Sequence, residues 1–437
     1  MWAALVGSGI IGCWWAIANA GDVRRCLPVF YTFYALAFGL YLLALWGIAR
    51  WERLERPESG SRVLLAWLLL VAVAARLFLL GTTPTLSDDV YRYRWDGRVQ
   101  LAGLDPYRYP PDAPELASLR DAQDRLINFP HLRTVYPPVT QAAFRLGALM
   151  GGTITAQKAV FVASELLTVV GLLIILHCRQ RSLLWLAAYA WHPLVILEIA
   201  GSGHNDALGV GLLWLGVAAW ESRRWFGAAA AWSASFLAKF VAAALVPWWW
   251  CRHTARRELA VCIALSVVPL VLHPTAITAL MDSLSKMGAR SESNASVVFI
   301  LEWLTGSAIA SRLIGVGAFV GFLLWWARRC DDPIRYLGGV LGAAALLTPV
   351  LHPWYLLWLV PCFCVWRAPW LVALSGTAVL SYTVWPGWLD AGRWVVPTWA
   401  HALEYAPVVV LGVWGIAQWK WPSSFRLAMK PAPSARC

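Results

Sequence analysis

Acids and bases are crowded together in one short stretch of the chain, residues 87–98, which directly follows an apolar segment, residues 63–80. The stretch reads Ser-Asp-Asp-Val-Tyr-Arg-Tyr-Arg-Trp-Asp-Gly-Arg. Ionisable groups at a membrane boundary are costly, and in membrane proteins they commonly mark a pathway or an active site. The adjacent acids Asp88 and Asp89 are suited to act as a general base that removes a proton from a hydroxyl group. We therefore predict that this stretch carries catalytic residues.

Three further sets of polar residues interrupt apolar sequence. Acids, a lysine and histidines that converge on one face of a protein can handle an anionic group together with a proton. We expect these sets to lie near the two acids of residues 87–98 and to bind substrate. The sets are His204-Asn205-Asp206, Lys239, and His352 with Tyr355.

Each set also has a purely structural explanation. Asp88 and Asp89 suit the start of a helix, where acids cap the backbone and favour the helix dipole. The run 204–206 suits a turn that leads into a helix. Lys239 could extend to the membrane interface, and His352 could simply begin a helix. These explanations treat the sets one at a time and do not account for their placement on one face.

The composition indicates a membrane protein. Of the 437 residues, 59% are hydrophobic and 14% are charged, whereas a soluble protein has about a quarter charged residues. Several apolar runs can cross, or nearly cross, a hydrocarbon core of ~30 Å, and backbone groups in lipid must be paired within helices. We predict an all-α polytopic membrane protein of about 12–14 helices that forms a single domain over residues 1–437. The apolar runs include residues 63–80, 160–176, 337–350 and 408–421.

The distribution of basic residues predicts the orientation in the membrane. Short loops rich in Lys and Arg stay in the cytoplasm, and residues 50–62, 179–181 and 252–257 are of this kind. With these loops inside, the segment 81–155 lies outside, and its apolar stretches predict short helices along the membrane surface. Keeping loop 252–257 inside also requires a break near Lys239, which divides the preceding apolar stretch into two short helices.

The net charge of +12 does not predict a nucleic-acid partner, because the basic residues are spread over these short loops. The nine cysteines are scattered and have no metal-binding spacing. No carboxylate cluster beyond Asp88 and Asp89 calls for a metal ion. We therefore expect neither a metal nor a cofactor, and the lipid bilayer is the expected surrounding partner.

The order of the motifs resembles that of a known family. The stretch 88–98, followed by Asp-Pro-Tyr-Arg-Tyr at 105–109, resembles the first outer loop of bacterial multi-spanning glycosyltransferases of the C superfamily. More narrowly, the chain is similar to the polyprenyl-phosphate-mannose-dependent mannosyltransferases, the glycosyltransferase 87-like group. Further matches, in the expected order, are Val135-Tyr136-Pro137-Pro138, Gly203-His204-Asn205-Asp206-Ala207, Phe236-Leu237-Ala238-Lys239-Phe240 and His352-Pro353-Trp354-Tyr355.

This resemblance implies a C-type glycosyltransferase fold and an inverting transfer of a hexose, with mannose as the expected sugar. The implied donor is a polyprenyl-phosphate sugar. The acceptor is lipid- or glycan-linked, at the outer face of the bacterial inner membrane, which faces the periplasm or the cell exterior. An acid of the outer catalytic loop 81–155, Asp88 or Asp89, is then the base, and the sequence alone does not choose between them. The implied substrate-binding residues are Arg92, Tyr136, His204, Asn205, Asp206, Lys239, His352 and Tyr355.

A transporter or flippase for polyprenyl-linked saccharides is the alternative from a different functional class. Such a protein needs charged groups along a path through the whole bilayer, whereas here they crowd at one face. Many transporters also show internal repeats, and none is visible in this sequence. A third hypothesis is a non-catalytic membrane scaffold, but it would not explain the acids of the outer segment.

Overall fold

The computed structural model describes residues 2–54, 58–252, 256–290 and 294–419. This part of the chain consists of α-helices joined by loops and short 3-10 helices, and it contains no β-strand. Several of the α-helices are apolar and long enough to cross a membrane. The prediction of an all-α polytopic membrane protein is therefore confirmed.

The described part of residues 2–178 contains six α-helices. Helix starts follow local chemistry: a proline lies in the first turn of the second and fifth helices, and Thr153 caps the sixth by accepting a hydrogen bond from the Ala156 amide. In chain order the helices are α1 (Trp2–Ala18), α2 (Leu27–Arg53), α3 (Glu58–Leu80), α4 (Asp89–Leu101), α5 (Pro138–Leu149) and α6 (Ile154–Cys178).

The middle of the chain is more broken. Two very short helices are followed by a π-helical turn, Ile196–Gly201, before regular helix resumes. In chain order the helices are α7 (Ala187–Ala190), α8 (Pro193–Val195), α9 (Asp206–Glu221), α10 (Trp225–Ala238), α11 (Leu245–Trp250), α12 (Arg256–Val271) and α13 (Pro274–Arg290).

Six further helices complete the described chain. A 3-10 helix, Pro353–Trp358, follows the third of them and carries the motif that begins at His352. In chain order the helices are α14 (Val297–Thr305), α15 (Ala308–Arg329), α16 (Pro333–Leu347), α17 (Pro369–Thr377), α18 (Val384–Ala391) and α19 (Thr398–Trp419).

Four helices of the described chain have the length and apolar composition of membrane spans: α2, the part of α3 from Ser61 to Leu80, α6 and α15. Two bent helix pairs raise this number to as many as six if each pair is one span. The apolar runs 63–80 and 160–176 therefore lie in α3 and α6. The run 337–350 is mostly α16, which at 15 residues is short for a span.

Helix α9 lies at the centre, packed against both α6 and α10. The approach of α6 to α9 is so close that a Cβ atom on Gly171 would lie 2.8 Å from the Trp214 carbonyl oxygen. This packing places the N-terminus of α9, with its polar residues 204–206, beside the elements described next.

The loop 81–155 is built from short helices, as predicted. It contains α4, two 3-10 helices (Pro114–Leu119 and Ala122–Leu126) and α5. Two arginines of α4, Arg94 and Arg98, both pair with the carboxylates of Asp121 and Asp124. These ion pairs tie the second 3-10 helix to α4 and thereby hold the loop against the helix that begins at Asp89.

The predicted break near Lys239 is present. Helix α10 ends at Ala238, and Lys239 has an extended backbone with φ −158° and ψ 131°. A 3-10 helix, Phe240–Ala244, then leads into α11. Lys239 therefore lies at a break between two helices and not within a continuous helix.

Candidate active site

Four interruptions of the helical structure meet at one place. They are the start of α4 at Asp89, the turn before α9, the break at Lys239, and the loop at His352 that begins the 3-10 helix. The sequence predicted this convergence from four segments that are far apart along the chain.

Asp89 faces this meeting point. Its Oδ2 atom lies 3.7 Å from Nδ1 of His204 and accepts a hydrogen bond from the Tyr93 hydroxyl at 3.5 Å. The same hydroxyl lies 3.3 Å from Oδ1 of Asn205, so it is shared between two acceptors. The Asp89 side chain is 28% exposed, which leaves its carboxylate within reach of a substrate.

Asp88 has different neighbours. It occupies the N-cap position of α4, but its side chain makes no capping hydrogen bond, so the capping explanation does not account for it. Burial raises the pKa of the Asp88 carboxyl, the charge of Arg24 opposes that rise, and the charge of Asp89 adds to it. The two adjacent acids therefore have distinct electrostatic environments.

Lys239 is paired, contrary to what its isolated position in the sequence suggests. Its ammonium group donates to Oδ1 of Asp206 at 2.6 Å, and Trp358 Nε1 donates to the same oxygen at 2.6 Å. The Asp206 side chain is 1% exposed and that of Lys239 is 29% exposed. The ammonium also lies 5.7 Å from the centre of the Tyr355 ring, within cation–π range.

Three rings form a stack at the site. The His204 ring lies on Trp354 with a centroid distance of 4.2 Å, and His352 lies on Trp354 at 4.3 Å. Tyr355 meets His352 edge-on at 5.4 Å. Burial lowers the pKa of His352 to about 4, so this imidazole is neutral at neutral pH and holds one ring N–H.

Tyr136 belongs to the site through Tyr93, whose ring it meets edge-on at 5.1 Å. Arg92 lies apart. Its guanidinium donates to Asp96 at 2.8 Å and to the Leu132 carbonyl at 3.0 Å, inside a buried polar network. Its role as a substrate ligand stays a prediction, and its side chain is buried with these two partners.

Four residues that the sequence prediction did not assign also line the site: Tyr93, Glu198, Trp354 and Trp358. Tyr93 and Trp354 lie within the motifs, so their positions were available from the sequence. Glu198 lies outside the motifs, and its Oε2 atom lies 3.4 Å from Nε2 of His204. In the described part of the chain, no group of three His, Cys, Asp or Glu side chains is placed to hold a metal ion.

Comparison with known proteins identifies the family. A family model described as "Alpha-(1->6)-mannopyranosyltransferase, N-terminal domain" matches residues 14–255, more than half of the chain. The chain belongs to this mannosyltransferase family. A second model, described as "MptB C-terminal domain", matches residues 304–414 of the mannosyltransferase.

A curated relative supports the same assignment. The chain is 25% identical over 423 residues to alpha-(1->6)-mannopyranosyltransferase A of Mycobacterium tuberculosis (strain ATCC 25618 / H37Rv), covering 82% of this chain and 77% of the relative. The prediction of a membrane glycosyltransferase that transfers mannose is therefore confirmed, and the transporter alternative is disfavoured.

Proposed function

We propose that the mannosyltransferase moves mannose from a polyprenyl-phosphate donor to a lipid- or glycan-linked acceptor, with inversion at the anomeric carbon. The reaction takes place at the outer face of the bacterial inner membrane. The relative's name suggests that the new linkage is α-(1→6). The observation that carries the proposal is the position of Asp89, a partly exposed carboxylate beside the cluster formed by His204, Lys239 and His352.

Asp89 acts as the general base. As the acceptor oxygen bonds to the anomeric carbon, the bond from that carbon to the phosphate oxygen breaks and the electron pair leaves with the phosphate. The acceptor proton passes to Asp89. Asp89 is the stronger candidate of the two acids because it faces His204 and Tyr93, whereas the charge of Asp88 is coupled to that of Arg24.

Lys239 binds the donor phosphate. One of its three N–H groups donates to Asp206, which leaves two for phosphate oxygens. A cation held by a buried carboxylate is fixed in position before the substrate arrives, and preorganised charge is what stabilises a leaving group in the transition state. Tyr355 flanks the ammonium, and neutral His352 supplies a further N–H group to the same phosphate.

The orientation follows from charge. Loops 50–62 and 179–181 are rich in arginine, and such loops stay in the cytoplasm. They flank the segment 81–155, which therefore lies outside. A donor with a polyprenyl tail suits this geometry, because its tail can stay in the bilayer next to the exposed apolar faces of the spans while its phosphate reaches the break at Lys239.

The donor class can be tested with purified protein and a mannose-terminated glycolipid acceptor. Polyprenyl-phosphate mannose and nucleotide-activated mannose are supplied separately, each labelled in the sugar. We expect transfer, with release of polyprenyl phosphate, from the first donor alone. Transfer from the nucleotide sugar alone would contradict the proposal.

A further inference from the structure

We propose that Glu198 is a positioning residue for this reaction: it fixes His204 beside Asp89, so that the imidazole receives the proton that Asp89 takes from the acceptor. This inference rests on the proposed function, because it needs Asp89 as the base. It assigns a role to a buried acid that none of the motifs contains.

Glu198 is held in an unusual stretch of backbone. It lies in the π-helical turn Ile196–Gly201, and such turns occur frequently at functional sites. Its side chain is fully buried, and a buried carboxylate needs compensating partners. One oxygen, Oε1, accepts a hydrogen bond from the Tyr382 hydroxyl at 2.7 Å. The other oxygen is free to serve a second partner.

The second partner is His204. Oε2 of Glu198 lies 3.4 Å from Nε2 of His204, and Nδ1 on the other side of the same ring lies 3.7 Å from Oδ2 of Asp89. The imidazole, 1% exposed, thus stands between two carboxylates. Among the described residues these three atoms, Oε2 and the two ring nitrogens, make no hydrogen bond, so each is available to the group that it faces. Small rotations would close both contacts.

The ring of His204 is held in this orientation from several directions. Its backbone N–H donates to the Glu198 carbonyl at 2.9 Å, which ties the two residues together through the turn. Trp354 covers one face of the ring at 4.2 Å. Asp89 faces the ring from α4, and His352 lies on the far side of Trp354. Which nitrogen meets which acid is therefore set by the fold.

This arrangement selects the useful tautomer. With Nε2–H donating to Glu198, Nδ1 carries the lone pair and faces Asp89, in the way that a hydrogen bond to one ring nitrogen fixes the state of the other. After the acceptor proton has moved to Asp89, it passes on to Nδ1. The resulting imidazolium lies between the carboxylates of Asp89 and Glu198, and its proton goes to water when the products leave.

A double-mutant cycle tests this role. The variants are Glu198→Gln, His204→Gln and the double variant, and the measurements are kcat and the donor KM. We expect Glu198→Gln to lower kcat by about 10- to 100-fold, as removal of an orienting partner commonly does, with the donor KM unchanged. In the His204→Gln background the Glu198→Gln change should not lower kcat further, because Glu198 affects the reaction only through the His204 ring.

Two results would overturn the inference: a wild-type kcat for Glu198→Gln, or an equal loss of kcat when the change is made in the His204→Gln background. The second result would indicate a structural role for Glu198. If Glu198→Gln does not insert or fold, Glu198→Asp replaces it in the cycle, because the shortened side chain withdraws the carboxylate from His204 but keeps its charge.

Asp89→Asn separates this inference from the proposed function. If Asp89→Asn abolishes transfer and Glu198→Gln does not lower it, only the role of Glu198 is wrong. If Asp89→Asn transfers mannose at the wild-type rate, the assignment of the base is wrong, and the role of Glu198 is contradicted with it.

Discussion

Asp88 and Asp89 are adjacent in the chain, yet their side chains lie near different residues. Asp89 meets His204 and Tyr93, while the carboxyl of Asp88 is half-buried and its pKa is raised by that burial. A raised pKa means that the folded state disfavours the charged form. At neutral pH the charge on Asp88 is therefore a cost to stability, which is consistent with our proposal that Asp89 is the acid that acts on the substrate.

The first prediction concerns the stability of Asp88→Asn. Because the folded state raises the pKa of Asp88, the contribution of this group to stability is greatest at low pH and is lost as pH rises through the folded-state pKa. The variant should therefore unfold at the same or a higher temperature than wild type at pH 7. The difference should vanish below the ordinary aspartate pKa of about 3.9. A lower unfolding temperature at pH 7 would indicate a stabilising contact of the charged carboxylate.

The second prediction concerns Lys239→Met. Loss of an ammonium–phosphate contact of about 1.5–3 kcal/mol should raise the donor KM by about 10- to 100-fold. Removal of Lys239 also leaves the buried Asp206 carboxylate with Trp358 as its remaining hydrogen-bond donor, so stability should fall as well.

Two further variants separate these effects. The double variant Lys239→Met with Asp206→Asn removes the unpaired charge, and it should recover stability without recovering donor affinity. Lys286→Met, at an exposed lysine paired with Asp282, is the control that should change neither. If both the donor KM and kcat were unchanged in Lys239→Met, Lys239 would be only the structural partner of Asp206.

The broken elements are as important as the regular ones at this site. The sequence indicates the break at Lys239, because one continuous helix there would leave the basic loop 252–257 on the wrong side of the membrane. It does not indicate the π-helical turn at Glu198, which depends on packing rather than on residue preference. Likewise, the pairing of Lys239 with Asp206 joins residues on different helices, and no local pattern predicts it.

A third prediction tests the turn that carries His204. Gly203 has a φ of +79°, and a Cβ atom there would lie 2.9 Å from Cγ of Lys158. Gly203→Ala should therefore add a backbone cost of about 1–2 kcal/mol and also displace the turn, which moves His204 away from Asp89. We expect a loss of kcat that exceeds the loss of stability.

Gly103→Ala is the matched control, because Gly103 has a similar φ of +75° with open space around it. Gly103→Ala should lower the stability by the same backbone contribution as Gly203→Ala, but its kcat should equal that of the wild type. Equal kcat values for the two alanine variants would show that the position of the turn before α9 does not matter for transfer.

The fold of the whole molecule brings together, at one site, residues that are far apart in the chain, the first being Asp89 and the last Tyr355. The sequence allowed this to be predicted because membrane spans alternate in direction and basic loops fix the cytoplasmic side, so polar residues at alternate span ends share a face. It did not allow the choice between Asp88 and Asp89, which depends on the rotation of α4 about its axis. It also did not show that Arg92 is enclosed in a network with Asp96.

The fourth prediction tests the orientation. Asp112 is exposed in the segment 81–155, and Arg328 is exposed near the end of α15 in a basic connection. In a background depleted of native cysteines, Asp112→Cys should react with a membrane-impermeant thiol reagent in cells whose outer membrane is permeabilised. Arg328→Cys should react only after the inner membrane is lysed. The reverse pattern of labelling would place the site in the cytoplasm.

If Asp89 is the general base, its replacement by asparagine must slow the transfer step itself. Asparagine keeps the size of the side chain and an oxygen for the Tyr93 hydroxyl, but it cannot take a proton. With donor and acceptor saturating, we expect a variant that folds and binds donor as wild type does, with kcat lower by about 10²- to 10⁴-fold. Asp88→Asn, measured beside it, should keep most of its activity. A wild-type kcat for Asp89→Asn would show that another group takes the acceptor proton.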